Sequence, residues 1–254
     1  MLKIAAHFSF LLLPLLMVHA SEYCDTLLKQ CNLFRDKCTA DDITMGGCCD
    51  LTHLPMENVS SGVYKTQTDC GCDSTSPFAT VNVNIYCDMN TTNGGWTIVQ
   101  RNRKDSEVNF DTTWAEYEEG FGDLNTEFWY GLKWLHCLTK SGEWEMRLDY
   151  QKSDKSWSYM HYTQFSVGTA AQEYPLSVGG YTGIGGDRFK SHNNRKFTTK
   201  DNDNDIYSTN CATKFPGGWW YYNCYDVQIN LQPPQYAPRQ ATLFTEMKIR
   251  PKNC

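Results

Sequence analysis

The chain has 254 residues, twelve cysteines and a net charge of −6, and 14% of its residues are aromatic. The sequence is acidic overall and has no cluster of basic residues, which argues against nucleic acid as a partner. A chain of this length can bury a substantial core, as one domain or as one domain with a small appendage.

The first twenty residues have the pattern of a secretory signal peptide. Lys3 supplies positive charge, an apolar run follows over residues 8–18, and Val18-His19-Ala20 places small residues where a signal peptidase cuts. The run is too short to cross a membrane, and no later stretch reaches about 18 apolar residues. We therefore expect residues 1–20 to be removed and the protein to be secreted without a membrane span.

All twelve cysteines follow this leader, and an even number behind a signal peptide indicates a disulfide framework formed in an oxidising compartment. Five of them crowd residues 24–49. We treat residues 21–48 as a Cys-rich N-terminal segment with two open interpretations: a small knotted module, or a covalent segment that links a homo-oligomer through disulfides. Sequons that begin at Asn58 and Asn90 predict glycosylated surface loops.

The rest of the chain alternates short strand-like runs with Gly, Asn and Asp turns. The pattern predicts strands at residues 80–89, 96–101, 144–149 and 243–250. A helix is predicted at residues 127–137. Aromatic residues are frequent between these elements, which is typical of compact packing around irregular loops and also of a binding face.

Several local strings occur in a characteristic order and spacing. They include Ser61-Gly62-Val63-Tyr64, Asn93-Gly94-Gly95-Trp96, Gly120-Phe121-Gly122-Asp123-Leu124, Glu127-Phe128-Trp129, Asn202-Asp203-Asn204-Asp205, Gly217-Gly218-Trp219-Trp220-Tyr221 and Phe244-Thr245-Glu246-Met247-Lys248-Ile249-Arg250-Pro251. Together they resemble the fibrinogen C-terminal domain family, which includes ficolins, tachylectin-type lectins, angiopoietins and microfibril-associated glycoproteins.

The resemblance implies a fold for residues 49–254. It is an α+β domain with a central twisted, mainly antiparallel sheet, short helices and a loop-rich C-terminal subdomain that holds calcium and ligand. By similarity, Cys49 or its neighbour Cys48 pairs with Cys87, and Cys211 pairs with Cys224.

The acidic loop at residues 200–207 alternates carboxylates and amides. By composition alone a solvated acidic turn is the simpler interpretation, because the run lacks the glycine and terminal glutamate of an EF-hand. The resemblance favours a Ca²⁺ site instead. It implies side-chain ligands from Asp203 and Asp205 and main-chain carbonyl ligands from Tyr207 and Thr209.

Lectin members of the family bind acetyl groups in a shallow aromatic pocket beside calcium. Here the corresponding residues are Tyr221, Tyr222 and Tyr225, with Tyr236 as a further candidate. The peptide that is often cis in those members corresponds to Cys224–Tyr225. About a dozen residues of the usual pocket wall are missing after Cys224, so two interpretations stay open: the tyrosines rebuild the wall, or they only pack the subdomain.

Two function classes remain, and neither is enzymatic, since the sequence has no catalytic motif and its histidines are scattered. The first is a secreted calcium-dependent lectin for glycans or glycoproteins, as in innate immune pattern recognition. The second is an extracellular signalling or matrix protein that binds a protein partner such as a cell-surface receptor. A fold by itself does not choose between them.

Overall fold

The computed structural model describes residues 47–53, 59–68, 81–140 and 142–254. The chain divides into two compact units, and all of the described residues belong to the larger one. The predicted signal peptide, the Cys-rich segment up to residue 46 and the sequon at Asn58 lie outside the described residues.

One antiparallel sheet is the framework of this unit. Its strands are β1 (Gly62–Thr68), β2 (Val81–Asp88), β3 (Trp96–Arg103), β4 (Phe121–Gly122), β5 (Phe128–Trp129), β6 (Trp144–Lys152), β7 (Trp157–Val167), β8 (Leu176–Gly183), β9 (Gln235–Ala237) and β10 (Gln240–Pro251). The main path runs β1-β2-β3-β10-β6-β7-β8, while β4 and β5 extend from β3 and β9 pairs with β10. The α+β fold with a central antiparallel sheet is therefore confirmed.

The central strand β10 separates two different faces. Its residues Met247 and Ile249 are fully buried, and Met247 lies opposite the buried Leu148 of β6. Because side chains alternate along a strand, Glu246 and Lys248 point to the other face. The sheet thus has one apolar face that forms the core and one face that carries charged side chains.

The predicted strands correspond to β2, β3, β6 and β10, although β6 and β10 are both longer than predicted. The 11-residue strand β7 was not predicted. Its inward-facing positions include Ser158, Met160 and Tyr162, so polar atoms interrupt the apolar alternation that marks a strand in sequence.

The helices are short. They are α1 (Trp114–Glu119), α2 (Leu132–Thr139) and α3 (Cys211–Lys214). The helix predicted at residues 127–137 starts too early, because Phe128 and Trp129 pair with β3 and Gly131, with φ of 109°, turns the chain before α2 begins. Helix α2 then docks on β7 through the Thr139 hydroxyl, which accepts the Val167 N–H at 3.0 Å.

The loop-rich C-terminal subdomain lies between β8 and β10 and is held by a buried aromatic cluster. Phe197 lies at ring-centroid distances of 5.1 Å from Tyr117, 5.8 Å from Trp129 and 5.1 Å from Trp220. All four rings are fully buried. Such rings bury large areas, so the cluster fixes long loops that have little secondary structure of their own.

Buried amides connect this subdomain to the sheet. The Asn102 side chain on β3 donates to the carbonyls of Ile229 and Leu231 at 2.8 and 2.9 Å. The Gln100 side chain donates to the Ile229 carbonyl at 3.1 Å. These bonds satisfy backbone groups of an irregular segment that would otherwise be buried without partners.

The two adjacent cysteines near the start of the domain have different partners. Cys48, not Cys49, pairs with Cys87 of β2, and Cys49 pairs with Cys254. The pairing of Cys49 with Cys87 is therefore wrong and its stated alternative is observed. Cys48 is buried against β2 with a Cα–Cα distance of 5.3 Å to Cys87, which fits disulfide geometry.

A third disulfide joins Cys211 at the start of α3 to Cys224, with a Cα–Cα distance of 5.5 Å. This is the pair that the resemblance implies. Cys137 of α2 is disulfide-bonded as well.

Candidate functional site

The acidic loop folds around the carboxylate of Asp205. Its Oδ1 accepts the N–H of Tyr207 and its Oδ2 accepts the N–H of Cys211, both at 2.8 Å. The N–H of Asp205 in turn donates to Oδ1 of Asp203 at 3.3 Å. Asp205 therefore joins the loop directly to the first residue of α3.

Among the residues that the structure describes, no cationic side chain forms an ion pair with Asp203 or Asp205, and the neighbouring Lys200 pairs with Asp111 instead. Burial raises the pKa of Asp205, and the negative charge of Asp203 also raises it, against the lowering effect of the N–H groups of Cys211 and Tyr207. A nearby cation favours the ionised form of such a group. The arrangement is that of two carboxylates whose mutual repulsion a bound cation would relieve.

The resemblance assigns two main-chain oxygens, the carbonyls of Tyr207 and Thr209, to the same site. Neither carbonyl of Tyr207 or Thr209 accepts a hydrogen bond from the described residues. Across the described ranges no three His, Cys, Asp or Glu side chains come together as a metal-binding group. An ion held here would thus need these carbonyls and water beside two carboxylates, a hard-oxygen set that suits Ca²⁺.

Asp201 has a different role from the two later aspartates. Its Oδ1 accepts the N–H of Trp114 at 2.9 Å and the hydroxyl of Thr199 at 2.7 Å. The neighbouring Lys200 ammonium donates to the Asp111 carbonyl at 2.8 Å. These contacts fasten the base of the loop to the start of α1, whereas the bonds of Asp205 join the loop to α3.

Tyr221 is a core residue and not a ligand-binding one. Its ring is fully buried, and its hydroxyl lies 2.8 Å from the carbonyls of both Phe215 and Gly217 and accepts a hydrogen bond from Gln228 at 2.6 Å. The backbone turn places the Tyr221 side chain inward, whereas the side chain of Tyr222 points outward. Its assignment to the ligand face is therefore wrong.

Tyr222 and Tyr225 lie at the surface in different settings. Tyr222 is 37% exposed, and the Arg195 guanidinium lies 4.4 Å above its ring. Tyr225 is half-buried, with its ring edge-on to Phe215 at 4.9 Å and its hydroxyl donating to Gln235 at 2.8 Å. The cis peptide in this turn is Asn223–Cys224, one residue before the predicted position.

Tyr236 lies away from this surface. Its ring stacks on Tyr150 of β6 at 4.7 Å, and its hydroxyl contacts the side chain of Gln240. It therefore packs the end of the sheet and does not rebuild the pocket wall.

Three aromatic rings and one lysine lie next to one another near the acidic loop. We call this set, Tyr207, Lys214, Phe215 and Tyr225, the aromatic row. The Lys214 ammonium lies 4.7 Å above the Tyr207 ring and 5.6 Å from that of Phe215, which itself contacts Tyr225. Sequence reasoning missed Lys214 and Phe215. The available signal was their position between Cys211 and Cys224, since the disulfide brings both ends of that stretch together.

The predicted sequon residue Asn90 follows β2 in a turn, and its side chain is exposed. Within the described part of the chain, no helix combines the length and apolar character needed to cross a bilayer.

Comparisons with known proteins agree with this architecture. A family model described as the C-terminal globular domain of fibrinogen beta and gamma chains matches residues 61–240. Fibrinogen C domain-containing protein 1-B of Xenopus laevis is 40% identical over 188 residues, which is 66% of this chain and 41% of that protein. Tenascin-R of Gallus gallus is 37% identical over 213 residues, which is 79% of this chain and 15% of that protein.

Among solved structures, the fibrinogen-like globe domain of human ANGPTL6 superposes with a TM-score of 0.73 at 30% identity. The superposition covers 82% of this chain and 96% of that one. The chain spans less than half the length of either curated relative named above. From the matched residues and the shared fold, the chain belongs to the fibrinogen C-terminal domain family.

Proposed function

We propose that this chain is an extracellular recognition protein that binds a glycan or glycoprotein through the aromatic row, with Ca²⁺ in the acidic loop ordering that surface. Asp203 and Asp205 would hold the ion through side chains, and Tyr207 and Thr209 through carbonyls. When bound, the ion supplies the positive charge that offsets the two carboxylates.

The main support for this proposal is that the Asp205 carboxylate accepts two backbone hydrogen bonds, one at each oxygen. One carboxylate oxygen fixes Tyr207 in the loop, and the other fixes Cys211 at the start of α3. Helix α3 presents Lys214, and its disulfide to Cys224 holds the adjacent Tyr225. Order at the ion site and order in the aromatic row therefore depend on the same few bonds, which is a coupling between two neighbouring sites.

The chemistry of the row suits an acetylated sugar. Half-buried rings of Phe215 and Tyr225 offer an apolar wall for a methyl group, and the Lys214 ammonium offers a donor for a carbonyl or hydroxyl oxygen. Pattern recognition of acetylated glycans, as in innate immunity, is the role that this combination favours.

A glycan array with and without chelator tests the proposal. Tyr225→Ala is expected to weaken binding by about 1–3 kcal/mol if its ring is an anchor. Tyr236→Ala is the matched control, because Tyr236 is also half-buried and bonded to a glutamine but lies outside the row. Glycan binding that survives both Tyr225→Ala and chelation would show that the aromatic row is not the site.

A protein partner is a second candidate, favoured by the surface at Tyr222. An exposed tyrosine under an arginine is a pair of residue types that often dominate protein interfaces. This candidate fits a signalling or matrix protein that binds a cell-surface receptor. It predicts cell binding that persists in chelator and is lost in both Tyr222→Ala and Arg195→Ala.

We further propose that the Cys-rich segment at residues 21–48 links chains into a disulfide-bonded homo-oligomer of a secreted protein. Electrophoresis of the mature protein without reductant should show a dimer or larger species. Deletion of residues 21–38 should shift it toward monomer while the domain stays folded. A purely monomeric wild-type protein would contradict the proposal.

A further inference from the structure

A cavity of about 480 Å³ lies on the charged face of the sheet. It is lined by side chains from β2, β3, β6, β7 and β10 and by the turn at Asn90 and Thr91. None of its lining residues belongs to the acidic loop or the aromatic row. Its volume is within the range of small-molecule sites.

The floor of the cavity is a network of fixed polar groups. The Lys248 ammonium lies 2.6 Å from Asp88, 2.9 Å from Glu246 and 3.1 Å from Asp149. Glu246 also pairs with Arg101 at 2.8 Å, and Asp149 pairs with Arg147 at 2.7 Å. Glu246 keeps acceptor sites beyond these bonds, because each of its oxygens accepts one of them, whereas each oxygen of Asp149 already accepts two.

The network is electrically balanced, because three carboxylates face three cationic side chains. A strongly ionic ligand would bring an uncompensated charge onto this floor, which is costly in a partly desolvated site. A neutral ligand with hydroxyl groups can donate to the remaining acceptor positions of Glu246 without that cost. The polar groups are already held in place, so binding requires little reorganisation.

The walls of the cavity are aromatic. Trp157 on β7 is 57% exposed and lies edge-on to Phe244 of β10 at 5.6 Å, while Tyr86 of β2 lines the other side beneath Arg101. Large rings above hydrogen-bonding groups form the amphipathic lining that a sugar ring fits, with one apolar C–H face and a polar edge.

The rim of the cavity carries the sequon residue Asn90. Its side-chain amide donates to the Ser61 hydroxyl at 3.1 Å, and its backbone N–H donates to Asp88 at 2.8 Å. Asp88 therefore connects the sequon turn to Lys248 in the floor. A glycan attached to Asn90 would start at the mouth of the cavity.

We propose that this cavity is a calcium-independent site for a neutral pyranose unit. The sugar comes either from the glycan on Asn90 of the same chain or from a separate saccharide. Trp157 is the aromatic platform for the sugar ring, and Glu246 beside Lys248 accepts hydrogen bonds from the hydroxyl groups of the sugar.

The first arm of the test addresses the chain's own glycan. Protein secreted from animal cells is treated with a peptide N-glycosidase under native conditions, and release at Asn90 and at Asn58 is followed by mass spectrometry. If the Asn90 glycan occupies the cavity, Trp157→Ala should speed its release about tenfold, with release at Asn58 unchanged. Tyr222→Ala, which truncates an exposed tyrosine outside the cavity, should change neither rate.

The second arm addresses a separate saccharide. Thr92→Ala removes the sequon but keeps Asn90, and this protein is titrated in chelator with N-acetylglucosamine, mannose and N-acetylneuraminic acid by saturation-transfer NMR. A neutral sugar should bind, and Trp157→Ala added to this variant should weaken it about tenfold. Asp203→Asn should leave it unchanged.

A positive result in either arm supports the site and identifies its source of sugar. If Asn90 carries no glycan, the second arm alone decides. The proposal is overturned if Trp157→Ala leaves Asn90 release unchanged and no neutral sugar binds the Thr92→Ala protein. Tighter binding of the anionic sugar than of the neutral ones would overturn the assigned ligand class.

Discussion

The network around Lys248 and the acidic loop around Asp205 both bring carboxylates together, but within the described part of the chain only the first pairs them with cationic side chains. Burial alone would raise the pKa of Asp88, yet the attraction and hydrogen bond of Lys248, with the hydrogen bonds of Thr91 and Asn90, outweigh burial and lower the pKa to about 2. In the loop, burial and the Asp203 charge leave the pKa of Asp205 raised. The carboxylates around Lys248 have their negative charge offset by side chains of the protein. The negative charges of Asp203 and Asp205 would instead be offset by a bound cation.

We expect the largest change in the free energy of unfolding when the Lys248 ammonium is removed. Lys248→Met removes the cationic partner of Asp88 and one of the two cationic partners of Asp149 and of Glu246, at a position that is only 2% exposed. Removing one partner of a buried ion pair costs about 3–5 kcal/mol. Urea unfolding should show this loss, and calcium should not restore it.

Lys252→Met is the control for that substitution. Lys252 pairs with the largely exposed Glu143 just beyond the end of the same strand, so its loss should cost less than about 1 kcal/mol. Equal losses in the two variants would mean that the Lys248 network contributes no more than a surface ion pair.

A pH titration examines a third arrangement, a buried ionisable group that is kept neutral. His192 is fully buried, with its ring Nδ1 2.7 Å from the Trp220 carbonyl and its Nε2 accepting the N–H groups of Asp226 and Val227. Burial lowers its pKa from 6.5 to about 4. The unfolded chain therefore binds this proton first as the pH falls.

The resulting stability is complete above pH 6.5 and is lost as the pH falls from 6.5 to about 4. The loss amounts to about 3 kcal/mol. Urea unfolding at several pH values measures it. His192→Gln should lower stability at pH 7 and flatten the dependence in this window, and an unchanged slope in that variant would assign the loss to other groups.

We expect the smallest change in the free energy of unfolding for a substitution at Asp203 in the absence of calcium. Asp203→Asn removes a like charge beside Asp205, so in chelator the free energy of unfolding should stay within about 1 kcal/mol of wild type or rise slightly. Thermal unfolding in chelator measures this change. A loss of several kcal/mol would mean that the Asp203 charge is stabilised within the protein, and the contrast with the Lys248 network would fail.

The framework could be predicted from sequence where local patterns agree with tertiary packing. The run that contains Met247 alternates apolar and polar residues, and the run that starts at Trp96 follows a Gly-Gly turn signal with Thr97, Ile98 and Val99; both became central strands. The region at Phe128 could not be predicted correctly, because its pairing with Arg101 is a tertiary contact that overrides a helix-like local pattern.

The candidate site was predictable in part for a similar reason. Asp203 and Asp205 are only two positions apart in the chain, so their proximity follows from the sequence. The outward or inward direction of Tyr221 and Tyr222 depends on one backbone turn, which composition does not reveal. The Lys248 network joins residues more than a hundred positions apart, such as Asp88 and Lys248, and only the sheet register brings them together.

Thermal unfolding with a calcium titration measures whether Asp203 and Asp205 hold Ca²⁺, using wild type, the Asp203→Asn/Asp205→Asn double variant and Asp201→Asn. Wild type should gain about 2.7 kcal/mol when free calcium is about one hundred times the dissociation constant. The double variant should gain nothing. Asp201→Asn, which loosens the loop from α1 but keeps both proposed ligands, should be less stable and still gain from calcium. No shift in wild type, or an equal shift in the double variant, would contradict the account.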